Sequence, residues 1–344
     1  MFVLSSDITI GDLRFEGVHS ITIKRSVHSL IETAVIEVPA VAYLQEKGKT
    51  SPKRTVTTTQ IKSGSEVHIL LGYNGEMKTE FEGYVVSCKP GTPVQIVCEG
   101  ASYLLRQNTC NATQGKTTVK AILQEAVANL KSEKTITVTC TVEMDVINTC
   151  SATASGLEVI SKLMQATSDN LCCFFIRPFE LWCGLLYSRY TAGIRIDNGD
   201  IVSYKIGYNT LKQNTLDEHA QNVKPAIVEY KRKNDKGEIL SGISENEKGA
   251  KTKETTMLNQ ILHEKSLASL ADEKATKNNY KGYEGSITAF LQPYAAPGSS
   301  AKLVNSNMPE MDDTYLIEST EVTYGVNGAR RKIELGPRLG TDRK

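Results

Sequence analysis

The chain has 344 residues, enough for two or three domains that each bury a core of their own. Its composition, 40% apolar and 23% charged, is that of a folded protein and excludes disordered and collagen-like classes. Forty basic residues against thirty-nine acidic ones leave a net charge of +1, so no global field draws the chain to nucleic acid or to an acidic membrane surface.

The start, MFVLSSDITIGDLRF, meets Asp7 after a short apolar run and has no basic lead, so no secretory signal is expected. No window approaches the roughly 20 apolar residues of a membrane helix, and no membrane anchor is expected. The sequence therefore predicts a soluble protein made in the cytoplasm. Eight cysteines, at 88, 98, 110, 140, 150, 172, 173 and 183, form no C-x-x-C pair, and several lie in strand-like apolar runs. They read as buried reduced thiols rather than a disulfide framework.

Residues 3–38 read as strands: 20–24 (SITIK) and 34–38 (AVIEV) alternate, and Pro39 closes the second. A polar loop, residues 45–60, carries Lys47, Lys49, Lys53 and Arg54 against the single Glu46 and reads as a solvated hairpin tip or a basic flap. Residues 64–106 form an antiparallel meander of three apolar runs, 67–71, 81–88 and 94–98. Asn74-Gly75 supplies the first turn and Pro90-Gly91 the second.

From Thr118 the period changes. Val119, Ile122, Leu123, Ala126, Val127 and Leu130 share one helical face, and residues 135–142 (TITVTCTV) alternate as a strand. Ser155 and Glu158 predict a capping box for a helix carrying Leu157, Ile160, Leu163 and Met164. Strands follow at 171–176 and 181–187. After a turn cluster at 197–200, further strands are predicted at 201–206 and 226–232, an exposed loop at 241–256, and a helix at 262–278 closed by Lys281-Gly282. Strands return at 285–291, 300–304, 314–324 and 330–335, with Asn327-Gly328 joining the last two.

An internal echo links the two ends of the chain. Residues 297–304 (PGSSAKLV) are similar to 63–70 (SGSEVHIL), and Gly64 to Phe81 spans the same seventeen residues as Gly298 to Tyr315. The fold class this predicts is β-rich α+β: two similar β-barrel-like domains, residues 1–106 and 196–344, around an α+β segment, 107–195. The last domain carries an inserted loop and helix.

No catalytic constellation emerges. Gly115-Lys116-Thr117 fails as a phosphate loop because Cys110 stands where a glycine is required. The five histidines lack metal-ligand spacing, no G-x-S-x-G occurs, and Asp312-Asp313 and Asp197/Asp200 read as turn residues. Neither a catalytic residue, a metal nor a cofactor is expected. Tyr324 with Arg330, Arg331 and Lys332 is the nearest approach to a nucleic-acid platform, and alternation at a hairpin explains it more simply.

Several stretches carry a resemblance to a known family. Residues 72–75 (GYNG), 81–85 (FEGYV), the strand VQIVCE and the ending YLLR resemble the first tube domain of phage tail baseplate hub proteins. The relatives meant are the late control D type and the contractile-tail hub, related to the hub part of type VI secretion spikes. Residues 315–319 (YLIES), Tyr324-Gly325 and 333–336 (IELG) are similar to the closing hairpin of the second tube domain.

The resemblance implies a virion structural protein of a phage or contractile injection system. In such a protein a homotrimer makes a pseudo-sixfold ring around a central channel and adapts the hexameric tail tube to the threefold spike. Expected partners are further copies of itself, the tail tube protein, the spike protein, and tape measure or other baseplate proteins. DNA or cargo enters only as something passing through the channel. The implied interface residues are Phe81, Tyr84, Tyr315, Tyr324, Arg330 and Arg331 on the meander strands, with Lys47, Lys49, Lys53 and Arg54 on the basic loop. The rival reading is a cell-wall hydrolase of a tail tip or secreted effector, with carboxylates in the middle segment. A carbohydrate-binding β-protein needs exposed aromatic platforms, and Trp182, the single tryptophan, lies within an apolar strand.

Overall fold

A computed structural model describes residues 3–15, 17–44, 53–110, 114–151, 153–187, 201–211, 215–219, 226–244 and 252–339. The chain opens with β1 (Leu4–Ile10), β2 (Leu13–Phe15), β3 (Ser20–Ser26) and β4 (Thr33–Val38). Ile21, Ile23, Ala34, Ile36 and Val38 are buried at alternate positions, as half-buried strands require. A small arm, β5 (Val41–Leu44) paired with β6 (Lys53–Val56), leads to the one-turn helix α1 (Thr57–Gln60). The expected basic loop is thus a strand and a helical turn at its far end; residues 45–52 lie outside the described residues.

The expected meander is present as β7 (Glu66–Tyr73), β8 (Glu76–Lys89) and β9 (Val94–Glu99), followed by α2 (Ser102–Gln107). Asn74 and Gly75 take φ of 55° and 86°, the two left-handed positions of a tight hairpin.

The middle segment contains β10 (Gly115–Thr118), α3 (Val119–Val127), β11 (Thr137–Cys140), β12 (Asp145–Asn148), α4 (Gly156–Ala166), β13 (Cys172–Arg177) and β14 (Glu180–Gly184). Gly115-Lys116-Thr117 lies in β10. Thr118 Oγ1 accepts the amide of Ala121 and caps α3, and Ser155 Oγ accepts the amide of Glu158 and caps α4. Glu158 makes an ion pair of 2.7 Å with Lys162 one turn on. The expected capping box is therefore formed on its serine side.

The last part holds β15 (Val202–Lys205), β16 (Thr215–His219), β17 (Ala226–Lys233), β18 (Ile239–Ile243), β19 (Thr252–Met257), α5 (Glu264–Asn278), β20 (Gly282–Ala289), β21 (Ser300–Val304), β22 (Asp313–Gly325) and β23 (Gly328–Arg338). The turn cluster at 197–200 lies outside the described residues. The exposed loop expected at 241–256 is corrected at both ends: β18 and β19 flank β17 in a three-stranded sheet. Their pairing is carried by backbone hydrogen bonds, and β19 buries almost no side chain, so no apolar period marks it in the sequence. Residues 245–251 between them lie outside the described residues.

Thirteen strands form one sheet, whose main path runs β16-β20-β23-β22-β3-β4-β9-β8-β7-β1-β2, with β21 and β15 branching from β22. The junction β3–β22 joins the two ends of the chain edge to edge. One core fills the N-terminal strands and takes in Leu291, Val322, Tyr324 and Ala329 from the C-terminal ones. A second lies among β20 to β23. A third packs α3, α4 and the inner faces of β13 and β14 against Val228, Tyr230, Leu267, Leu270 and Ala271. The inserted sheet and α5 thus share their core with the middle segment. Cys172 and Cys173 face opposite sides of β13, the former beside Trp182 and the latter in the core with α4, as adjacent strand residues must.

Candidate assembly surface

The two ends of the chain repeat one construction. Five antiparallel strands repeat, in the order β7-β8-β9-β4-β3 in the first unit and β21-β22-β23-β20-β16 in the second; a sixth strand then joins antiparallel as β1 beside β7 and parallel as β15 beside β21. The amide of Gly64 donates to the carbonyl of Val85, and the amide of Val85 to that of Ser65; Gly298, Ile317 and Ser299 repeat both bonds at 2.8 and 2.9 Å. Gly64 and Gly298 have φ of 85° and 83°, where glycine is favoured. A bulge follows at once in each long strand, between Val85 and Ser87 and between Ile317 and Ser319. Val85 is 21 residues from Gly64, whereas Ile317 is 19 from Gly298. The equal seventeen-residue spacing expected from the sequence therefore does not match equivalent positions: Tyr315 corresponds to Gly83, not to Phe81.

Across the junction, Ser319 to Gly325 of β22 pair antiparallel with Ser26 to Ser20 of β3. On the polar side, Thr288, Lys332, Glu321, Lys24 and Thr33 stand opposite one another across five strands. Lys24 and Glu321 form an ion pair of 3.5 Å at the seam itself. On the opposite side the row is Ala289, Arg331, Val322, Ile23, Ala34 and Cys98, all buried. One face is thus a wall of short polar and balanced charged groups; the other is core.

This division decides where the expected interface residues lie. Phe81, Tyr84, Tyr315 and Tyr324 are buried within the chain, Tyr84 stacked on Tyr103 at 5.2 Å and Tyr315 beside Tyr283 at 5.9 Å. Burial raises the Tyr315 hydroxyl to about 12. Their area is spent inside the subunit, so they support the wall from behind and do not face a neighbour. Arg330 is half-buried over the Phe290 ring, 4.7 Å from its centroid. Arg54 is exposed on β6 opposite Tyr43, which is 71% exposed; Lys53 shares that strand, and Lys47 and Lys49 lie outside the described residues.

Arg331 is 1% exposed and donates to Glu80 Oε1 at 2.7 Å and to the carbonyl of Leu291 at 3.3 Å. Burial alone lowers its pKa; the Glu80 carboxylate outweighs that and raises it, so the guanidinium stays charged. Tyr294 lies against Arg331, and its hydroxyl accepts from Arg25, which also binds Glu32 at 2.6 Å and the carbonyls of Phe175 and Ile176. Two buried ion pairs on one tyrosine therefore tie the first unit, the second unit and the middle segment together.

The sequence reading missed exposed Val86 and Lys89 toward the end of β8 and exposed Asp217 in the middle of β16, and Ile239, Ile243 and Met257 on the inserted sheet. That sheet surrounds Glu229, which is pushed up by burial but held down to about 2 by Lys231, Lys253 and Thr255. In the middle segment Asp145 pairs with His263, Glu158 with Lys162, and Glu180 with Arg177. Burial raises the Glu318 carboxyl, but hydrogen bonds and charge from His28, with Lys277 and Tyr187, outweigh it and hold it below its ordinary value. Among the described residues no group of three His, Cys, Asp or Glu can hold a metal ion, and no helix is long and apolar enough to cross a membrane.

The architecture is the fold of solved phage tail proteins and of a type VI secretion system component. The 43 kDa tail protein of prophage MuSo2 from Shewanella oneidensis superposes with a TM-score of 0.65 at 13% identity, over 98% of this chain and 99% of that one. A tail protein from Neisseria meningitidis MC58 gives 0.62 at 11% identity, over 97% and 96%. The E. coli c3393 protein, a component of the type VI secretion system with structural similarity to T4 bacteriophage tail proteins gp27 and gp5, gives 0.55 at 10% identity over 96% and 76%. No protein-family model matches the sequence, and no curated protein matches it.

Proposed function

We propose that this chain is the structural, non-enzymatic hub of a phage tail or related contractile injection machine baseplate. Three copies, each with two similar β units, form a pseudo-sixfold ring that adapts the hexameric tail tube to the threefold spike. The observation that carries this reading is the duplicated strand order within one chain, fused edge to edge at β3–β22. Two equivalent units per chain give six equivalent positions per trimer, and closed rotation makes every interface repeat. The likeness in fold to tail proteins over nearly the whole chain supports it.

In this reading the first unit spans residues 1–106, the middle segment 107–195 and the second unit 196–344, with 226–278 attached to the middle. The polar wall around Lys24 and Glu321 lines the channel. The arm bearing Arg54 and Tyr43, and the face bearing Ile239, Ile243 and Met257, meet the tube, spike, tape measure or other baseplate parts. The chain is made in the bacterial cytoplasm and ends in the assembled tail. Native mass spectrometry with electron microscopy of the purified protein tests this. A threefold or pseudo-sixfold ring is expected; a strict monomer that associates with neither tube nor spike overturns it.

A further inference from the structure

Each unit is built around one long strand that changes partner along its length: β8 pairs first with β7 and then with β9, and β22 first with β21 and then with β23. Beyond the matched bulge, β22 is paired on both sides, with β23 and with β3. The equivalent stretch of β8, residues 87–89, pairs with β9 on one side; among the described residues no strand pairs with its other edge. The equivalent of β3 is β16, which pairs with β20 and, among the described residues, presents its outer edge to no strand. One copy of the chain therefore holds one completed seam and the two halves of another.

The registers fix how those halves fit. Following the ladders outward from the bulges, Ser319 corresponds to Ser87 and Glu321 to Lys89. Through β4–β9 and β20–β23, Ala34 corresponds to Gly285, and hence Lys24 to Asp217. The seam pair Lys24–Glu321 thus becomes Asp217–Lys89, the same ion pair with its charges exchanged. Both Asp217 and Lys89 are exposed, and Val86, 38% exposed, lies on the same open strand end.

We infer that β16 of one copy pairs antiparallel with residues 87–89 of β8 in the next copy, with Asp217 opposite Lys89 and Glu218 opposite Cys88. This deepens the ring reading above and rests on it. The contact is head-to-tail, the type that builds a ring from identical chains when its rotation closes. Backbone bonds at the open edges supply the pairing, and the exchanged charges supply its specificity. A first unit meeting another first unit would set Lys24 against Lys89, and a second unit meeting a second would set Asp217 against Glu321. Both errors put like charges directly opposite, so the units alternate.

Native mass spectrometry of the wild type, Lys89→Glu, Asp217→Lys and the double reversal tests the pairing. Each single reversal is expected to weaken ring assembly by about tenfold or more, and the double to restore most of it. Thermal melting of the isolated variants is expected to stay close to the wild type, because both side chains are exposed. In a mixture of light and heavy isotope-labelled wild-type chains, a zero-length carbodiimide cross-link is expected between Lys89 of one copy and Asp217 of another. Rings that form equally well with either single reversal, or that give no such mixed cross-link, overturn the pairing and leave the ring reading standing. A wild-type chain that never assembles overturns the ring reading itself.

Discussion

The Arg331–Glu80 ion pair joins β23 to β8 inside the molecule, with side-chain exposures of 2% and 3%. Arg331→Met leaves the Glu80 carboxylate buried without its counter-charge, and Glu80→Gln leaves the guanidinium in the same position. Breaking a buried pair from one side costs about 3–5 kcal/mol. The Arg331 Nε is already without a hydrogen-bond partner, a penalty of about 1–3 kcal/mol that Met removes along with the charge. Against this stands the loss of the contact between Arg331 and the Tyr294 ring, 4.8 Å from its centroid and worth about 1 kcal/mol. Each single substitution is therefore expected to destabilise by about 3 kcal/mol or more. The double variant Glu80→Leu/Arg331→Met is expected to return to within about 1–2 kcal/mol of the parent, since apolar replacement of a whole pair is often neutral or better. Calorimetric and denaturant unfolding of the four proteins measures the cycle. With unfolding entropy near 2.1 cal/mol/K per residue, 3–5 kcal/mol lowers the melting point by roughly 4–7 °C if the chain melts as one unit. A single variant that loses less than about 1 kcal/mol, or a double no better than the worse single, refutes the reasoning.

Gly285→Ala is expected to detach β16 from β20, because a Cβ there runs into the carbonyl of Thr215 and φ is +111°; amide exchange at residues 215–219 should rise sharply. Glu229 is held below its ordinary 4.5, so its share of stability is full above that value and is lost as pH falls from about 4.5 toward 2. Melting of Glu229→Gln across that window should be less acid-sensitive than the parent. Cys140, lowered to about 7 by its hydrogen bond to Cys183, is expected to react first with a thiol reagent near neutral pH, with Cys88 next. The six buried thiols should wait for unfolding, and simultaneous release of all eight would refute this ordering.

Local chemistry was plainly readable where a few adjacent residues decide the outcome. Asn74-Gly75 specifies a hairpin, Ser155 caps its helix as its spacing to Glu158 predicts, and the alternation of 20–24 and 34–38 separates two strand faces. Alternation does not say which face is core, and the resemblance does not supply it: it implies an interface for Phe81, Tyr84, Tyr315 and Tyr324, whose apolar area the chain itself buries. Arg331 shows the same limit more sharply. In the string ARRKIEL it looks like surface polarity at a hairpin, and only Glu80, 251 residues away, makes its inward position tolerable. Strand β19 carries no period because its side chains are polar and exposed, and β18 hides because its Ile239 and Ile243 face outward and bury nothing that marks a core. The repeat was detectable from PGSSAKLV and SGSEVHIL, yet its alignment needed the hydrogen bonds of Val85 and Ile317, because two residues are missing between the matched glycine and the bulge in the second copy.

The seam between β3 and β22 also has a kinetic meaning. Because its two strands belong to one polypeptide, each finds the other without diffusion, at an effective concentration fixed by the chain rather than by the cell. A ring assembled from such chains has half of its joints made before any two molecules meet. Assembly then depends less steeply on protein concentration than it would for separate single-unit subunits. Early in synthesis, when few copies exist, that difference favours complete rings over partial arcs.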